Sequence, residues 1–208
     1  MLDSPFVRRV AVSMQLLDIG YEHANWSVGK DFERIREYNP LGRVPTLVLD
    51  DGEVLSESAV ILDYFDDCVG PTRALLPATG RERREALRQM AMAIGAAEKG
   101  REQIYERAFR PSDKQHEPWL ERCRSQMHSG LSELERYCEA RGTQKWLIGS
   151  TLGQADITAS CAFTFLRESL RLPELPARYP RLNAVVDRCE AMPPFQSTFT
   201  PFFTPGAQ

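Results

Sequence analysis

The sequence predicts two units in succession, a small α/β layer over residues 1–70 and an all-helical region over residues 81–208, with a linker at 71–80. Three observations carry that expectation. The apolar runs Thr46-Leu47-Val48-Leu49 and Glu53-Val54-Leu55 flank Asp50-Asp51-Gly52, and Asp-Gly between apolar runs is the strongest short hairpin signal. Gly70, Pro71 and Pro77 punctuate the chain where the pattern changes. From Arg81 onward apolar residues recur at three- and four-residue steps without strand signals, the mark of a separate helical domain.

In the first unit, Ser4-Pro5 reads as a helix start, with serine at the N-cap and proline at the first helical position. Val7, Val10, Ala11, Met14 and Leu17 follow at helical spacing, and Gly20 is a natural stop. Residues 21–26 are expected as a strand, and residues 31–37 as a short helix ended by Asn39-Pro40. After the hairpin, residues 58–68 close the unit as a helix with Val60, Ile61, Tyr64 and Phe65 on one face. The succession αβαββα is that of a thioredoxin-like fold without its first strand. Such a strand typically has about five or six residues, yet only Met1, Leu2 and Asp3 precede Ser4. The expectation is that Met1 is an internal start or that the chain has been trimmed there.

In the second unit, residues 81–109 form a long helix with Leu87, Met90, Ala91, Ile94 and Ala97 as its apolar stripe. Residues 111–117 break it. A second helix over 119–141 carries Cys123, Met127, Leu131, Leu134 and Cys138 at helical steps. Residues 155–170 and 180–192 give two more, the last bounded by Pro193-Pro194.

Composition narrows the function. A net charge of -3 gives no reason to expect nucleic acid or an anionic membrane as partner. Apolar content of 42% and charged content of 26% are those of an ordinary globular protein. No apolar run approaches the roughly 18 residues of a membrane span, and no basic segment followed by an apolar core marks a secretory signal. The five cysteines, Cys68, Cys123, Cys138, Cys161 and Cys189, are scattered and never in Cys-x-x-Cys. That argues against a disulfide framework and a zinc site, so no metal is expected, and it suits a reducing, cytoplasmic location. Each is expected in or near the core as a small hydrophobe.

The richest stretch is Asn39-Pro40-Leu41-Gly42-Arg43-Val44-Pro45-Thr46-Leu47, followed by Ser56-Glu57-Ser58 opening an apolar run. With Ser4-Pro5-Phe6 near the amino terminus, this order resembles the cytosolic glutathione transferases, in particular serine-type members of bacterial and tau-like kind. The resemblance implies the glutathione transferase fold: an α/β thioredoxin-like amino-terminal domain that binds glutathione, and an all-α carboxy-terminal domain. It further implies a homodimer and conjugation of glutathione to a small hydrophobic electrophile. Leu152-Gly153-Gln154-Ala155-Asp156-Ile157 resembles the family's buried helix start, with Asp156 at N3 accepting from the N-cap amide and Leu152 and Ile157 as a hydrophobic staple. Gly153 departs from the Ser/Thr usual there. Asp156 is structural on either reading.

The resemblance also assigns the site. Ser4 donates its hydroxyl proton to the glutathione sulfur and, with the positive helix end, lowers the thiol pKa. Val44, before a cis Pro45, pairs its backbone with the cysteinyl part of glutathione. The helix start at Ser58 holds the γ-glutamyl carboxylate, Glu57 helps place the α-amino group, and Arg43 reaches the glycyl carboxylate. Tyr105, Phe109 and Phe203, with Phe199 and Phe202, line the hydrophobic co-substrate site. Plainer readings stand beside these. Ser4 and Ser58 are also ordinary helix caps, Pro45 an edge-strand proline, Arg43 a solvated charge, and the aromatics core packing. The alternatives to conjugation are glutathione-dependent disulfide reduction, or a non-catalytic binding or regulatory role on the same fold.

Overall fold

The computed structural model describes residues 1–203. Proline at its first turn starts α1 (Pro5–Leu16), where the missing N–H is one the helix leaves unpaired anyway. Helix α2 (Phe32–Arg36) is short, and β1 (Thr46–Val48) and β2 (Val54–Ser56) form an antiparallel pair in the register Thr46 to Ser56, Leu47 to Leu55 and Val48 to Val54. The turn closes through Leu49 N–H donating to the Glu53 carbonyl at 2.8 Å, as the Asp-Gly signal predicts. Helix α3 (Ser58–Val69) completes the thioredoxin-like layer. The all-helical part comprises α4 (Gly80–Phe109), α5 (Glu117–Arg141), α6 (Gln154–Ser169), α7 (Leu175–Arg178), α8 (Pro180–Glu190) and α9 (Pro193–Ser197). No helix among the described residues is long and apolar enough to cross a membrane.

Two apolar clusters hold these layers. Val10, Met14 and Leu17 of α1 pack with Ile61, Leu62 and Phe65 of α3 in the smaller. The larger runs through α4 to α9, and Val12 of α1 enters it, so α1 serves both. Charge reinforces that seam. Buried Arg8 donates from both Nη atoms to the Glu190 carboxylate, at 2.7 and 2.6 Å, and from Nη2 to the Phe195 carbonyl at 2.8 Å. Thr164 adds a hydroxyl donor to Glu190 at 2.6 Å.

Several expectations need correction. Residues 21–26 form no strand: a strand needs a neighbour for its ladder, and beside this segment lies a cavity of about 1320 Å³ reaching across to Leu47 and Val48. At its end the Met1 ammonium donates to the Trp26 carbonyl at 3.0 Å, and burial lowers the pKa of that ammonium. On α3 the buried face is Ile61, Leu62 and Phe65, while Val60 and Tyr64 are exposed. On α4 Leu87 is exposed, and the buried stripe is Ala86, Met90, Ala93, Ala97, Gly100 and Ile104. Small residues win there because α6 comes so close: a Cβ on Gly100 would sit 2.1 Å from Leu166 Cδ2. Pro193-Pro194 open α9 rather than merely ending α8, and α7 is also a short proline-containing helix. Four cysteines are buried, but Cys68 is exposed.

Asp156 sits where its helix start requires it. Its Oδ2 accepts from the N–H of Gly153, the N-cap of α6, at 3.0 Å, and its Oδ1 from Leu147 N–H at 2.8 Å. The glycine has a steric reason, since a Cβ at position 153 would lie 3.1 Å from the Leu75 carbonyl.

Candidate functional site

Ser4 is the N-cap of α1 by position, with φ -73° and ψ 127°, yet its side chain makes no capping hydrogen bond. The hydroxyl is half-buried at the positive end of a twelve-residue helix. It lines a cleft of about 100 Å³ together with Val44, Tyr105, Phe109 and Phe203. Residues from four separate segments of the chain therefore meet at one place.

Val44 is set by the loop before β1. Buried Asn39 donates from Nδ2 to the Arg43 carbonyl at 3.0 Å and accepts Leu41 N–H on Oδ1 at 3.0 Å. Thr46 Oγ1 donates to the same Arg43 carbonyl at 2.9 Å. The Val44-Pro45 peptide is cis. Among the described residues neither the N–H nor the C=O of Val44 has a hydrogen-bond partner, which leaves one donor and one acceptor free beside Ser4.

The α3 start follows β2 and is tied back to the Val44 loop by an ion pair. Arg43 Nη1 pairs with Glu57 Oε1 at 2.9 Å, both side chains about half exposed. Glu57 has φ 71°, a left-handed conformation uncommon for a non-glycine residue and often found at functional positions. The first helical bond is Ile61 N–H to the Glu57 carbonyl at 3.1 Å, so the amides of Ser58, Ala59 and Val60 precede the ladder. Ser58 is buried, and its Oγ accepts from Arg9 Nε at 3.0 Å. Arg9 also donates from Nη1 to Thr158 Oγ1 at 3.2 Å, and burial lowers its pKa to about 10, still cationic at neutral pH. A guanidinium thus sits beneath the α3 amides. Sequence reasoning missed it; the available signal was a basic pair, Arg8-Arg9, within an apolar helical run.

The aromatics separate into two sets. Tyr105 and Phe109 stack edge to face, centroids 5.2 Å apart, on the cleft wall at the end of α4, with Phe203 opposite on the tail. Phe202 lines the cleft too, packed edge-on against Phe165 at 5.8 Å. Phe199 does not line it and lies over the Arg8 guanidinium at 5.5 Å. Phe6, Trp26, Ile104 and Arg101 also line it, with Asp3 and Phe165 among the others, and the sequence analysis gave none of these a place in the co-substrate site. No cysteine lines this cleft among the described residues.

Comparison with known proteins agrees with this architecture. The family model "Glutathione S-transferase, N-terminal domain" matches residues 1–73, and "Glutathione S-transferase, C-terminal domain" matches residues 117–188. The chain belongs to the glutathione S-transferase family. It is similar to the uncharacterized GST-like protein YibF of Escherichia coli K12, 29% identical over 198 residues and 95% of each chain. Among solved structures, a glutathione S-transferase from Methylobacterium radiotolerans in complex with glutathione sulfonate is 27% identical. It superposes at a TM-score of 0.87 over 99% of this chain and 92% of that one. A glutathione transferase family member from Pseudomonas fluorescens with bound glutathione is 29% identical, at a TM-score of 0.85 over 97% of each chain.

Proposed function

We propose that the protein binds glutathione, stabilises its thiolate through Ser4 and conjugates it to a small hydrophobic electrophile. The observation that carries this reading is the free Ser4 hydroxyl, at the positive end of α1, in one cleft with the unpaired backbone of Val44. The tripeptide's cysteinyl amide pairs with Val44, and its γ-glutamyl carboxylate takes the Ser58, Ala59 and Val60 amides above Arg9. Glu57 attracts the α-amino group. Arg43, tied to Glu57, faces the glycyl carboxylate as the two acids share its fork. The sulfur then lies by Ser4, facing the aromatic wall. In a substitution the thiolate pair forms the C–S bond and the leaving group departs with its own electron pair. Glutathione sulfonate bound to the Methylobacterium radiotolerans structure and glutathione bound to the Pseudomonas fluorescens one support the tripeptide assignment. The protein works as a cytoplasmic homodimer, and exposed Val60 and Tyr64 on α3 with Leu87 on α4 supply apolar surface for that contact.

Calorimetric titration of the folded protein with glutathione and its S-hexyl derivative tests the reading. Both are expected to bind, the S-hexyl form more tightly because its alkyl chain enters the aromatic cleft. Absence of binding by either would remove the transferase assignment and leave a non-catalytic role.

A further inference from the structure

Arg101 stands out on the cleft wall. It lies on α4 one turn before Tyr105, and its guanidinium sits 5.7 Å from the Phe6 ring centroid and 5.8 Å from that of Tyr105. Its helix neighbour Lys99 is paired, with Nζ 2.9 Å from Glu102 Oε1, whereas Arg101 has no ion pair or hydrogen bond among the described residues. A partly buried fork of five donors is thus held against two ring faces with no hydrogen-bond acceptor among the described residues. Asp3 is the one acidic side chain among the described residues of the same lining, and its Oδ2 accepts from Phe203 N–H at 3.3 Å rather than from Arg101.

We infer that the cleft selects electrophiles carrying a carboxylate on a single aromatic ring, and that Arg101 is the specificity residue that pairs with the carboxylate. This rests on the transferase reading above. The ring follows from size and lining. The cleft is open and narrow, about 100 Å³ between Phe6, Ile104, Tyr105, Phe109, Phe165 and Phe202, less than the roughly 150 Å³ of a closed cavity that takes benzene, so it admits one ring at most, seated between apolar walls and partly open to solvent. The carboxylate follows from the fork, which accepts a planar anion with two parallel bonds. A phosphate dianion fits less well, because Asp3 in the same lining opposes a second negative charge.

The test compares S-benzylglutathione with S-(para-carboxybenzyl)glutathione by calorimetry on the parent protein, Arg101→Gln and Arg101→Lys. The parent should prefer the carboxylate conjugate about tenfold, the order expected of a charge-assisted pair. Arg101→Gln should lose that preference while keeping its affinity for the benzyl conjugate and for glutathione, and Arg101→Lys should restore part of it. Conjugation of a chlorodinitrobenzene and of its ring-carboxylate derivative should show the same pattern in kcat/KM. Equal affinity of the parent for both conjugates overturns the inference and leaves the transferase reading intact. Equal loss of glutathione and both conjugates in Arg101→Gln assigns the residue to the tripeptide and overturns it too. Failure of glutathione itself to bind the parent overturns both readings together.

Discussion

Ser4→Ala is expected to leave glutathione affinity nearly unchanged and to empty the bound thiolate at neutral pH. Under the proposed pose the tripeptide is held by the Val44 backbone, the α3 amides and the charges of Arg9, Arg43 and Glu57, none of which the Ser4 side chain touches. The hydroxyl makes no capping bond in α1, so its removal strands no helix donor and the fold should persist. What is lost is the donor nearest the sulfur. If Ser4 and the helix end bring the thiol from about 8.5 to about 6.5, the alanine variant moves it back by roughly one to two units. The thiolate fraction at pH 7 then falls from about three quarters of the bound glutathione to about a quarter for one unit, or a few per cent for two. Turnover should fall less, by a few-fold, because a more basic thiolate is intrinsically the better nucleophile, with a Brønsted slope of about 0.4–0.5. The acid limb of the pH–rate profile should move upward by the same one to two units. Titrating the ultraviolet thiolate band of the binary complex against pH in both proteins checks this, with conjugation of an aryl halide followed in parallel. An unchanged band and an unchanged rate in Ser4→Ala would reduce Ser4 to a helix start and place activation elsewhere.

The parts legible in the sequence were those with local causes. Proline at a first turn, Asp-Gly in a hairpin and the three- and four-residue steps of α5 each act within a few residues, and the elements they predict are present. Failures came where a distant contact decides. The α4 stripe was read correctly at Met90 and Ala97 but wrongly at Leu87, which is exposed, and it left out Gly100, where the close approach of α6 leaves no room for a side chain, because a glycine gives no periodic signal. Residues 21–26 were read as a strand, but no neighbour completes a ladder among the described residues. In the candidate site the helix start at Ser58 was legible in the sequence, while Val44 was reached only through the family resemblance. Arg9 and Arg101 were not legible, because a charge on a helix reads as solvated until the packing shows one beneath the α3 start and the other on a ring-lined wall.

Asp156→Ala should cost several kcal/mol of stability while leaving turnover per folded molecule intact. The carboxylate is fully buried and accepts two backbone N–H groups, those of Leu147 and Gly153, so alanine strands both. An unsatisfied buried donor costs about 1–3 kcal/mol, and for a chain of this size about 3 kcal/mol lowers Tm by roughly 6–12 °C. Asp156 does not line the Ser4 cleft, so kcat measured on the folded fraction should stay close to that of the parent. The pH dependence separates this role from a generic loss of packing. Burial pushes the Asp156 carboxyl up to about 6, outweighing the backbone N–H donors and the Arg188 cation that favour its charged form. Between about pH 4 and pH 6 the folded protein therefore keeps a proton that the unfolded chain has released. Stability contributed by this group falls as pH rises through that window and is level above it, by up to about 3 kcal/mol for a shift of roughly two units. The alanine variant lacks that titration. The stability gap between parent and variant should accordingly be wider at pH 4.5 than at pH 7.5, with other carboxyls cancelling in the difference. Urea unfolding of both proteins at the two pH values measures it. A gap that widens as pH rises would show that the native fold prefers the ionised carboxylate, with the two N–H groups outweighing burial.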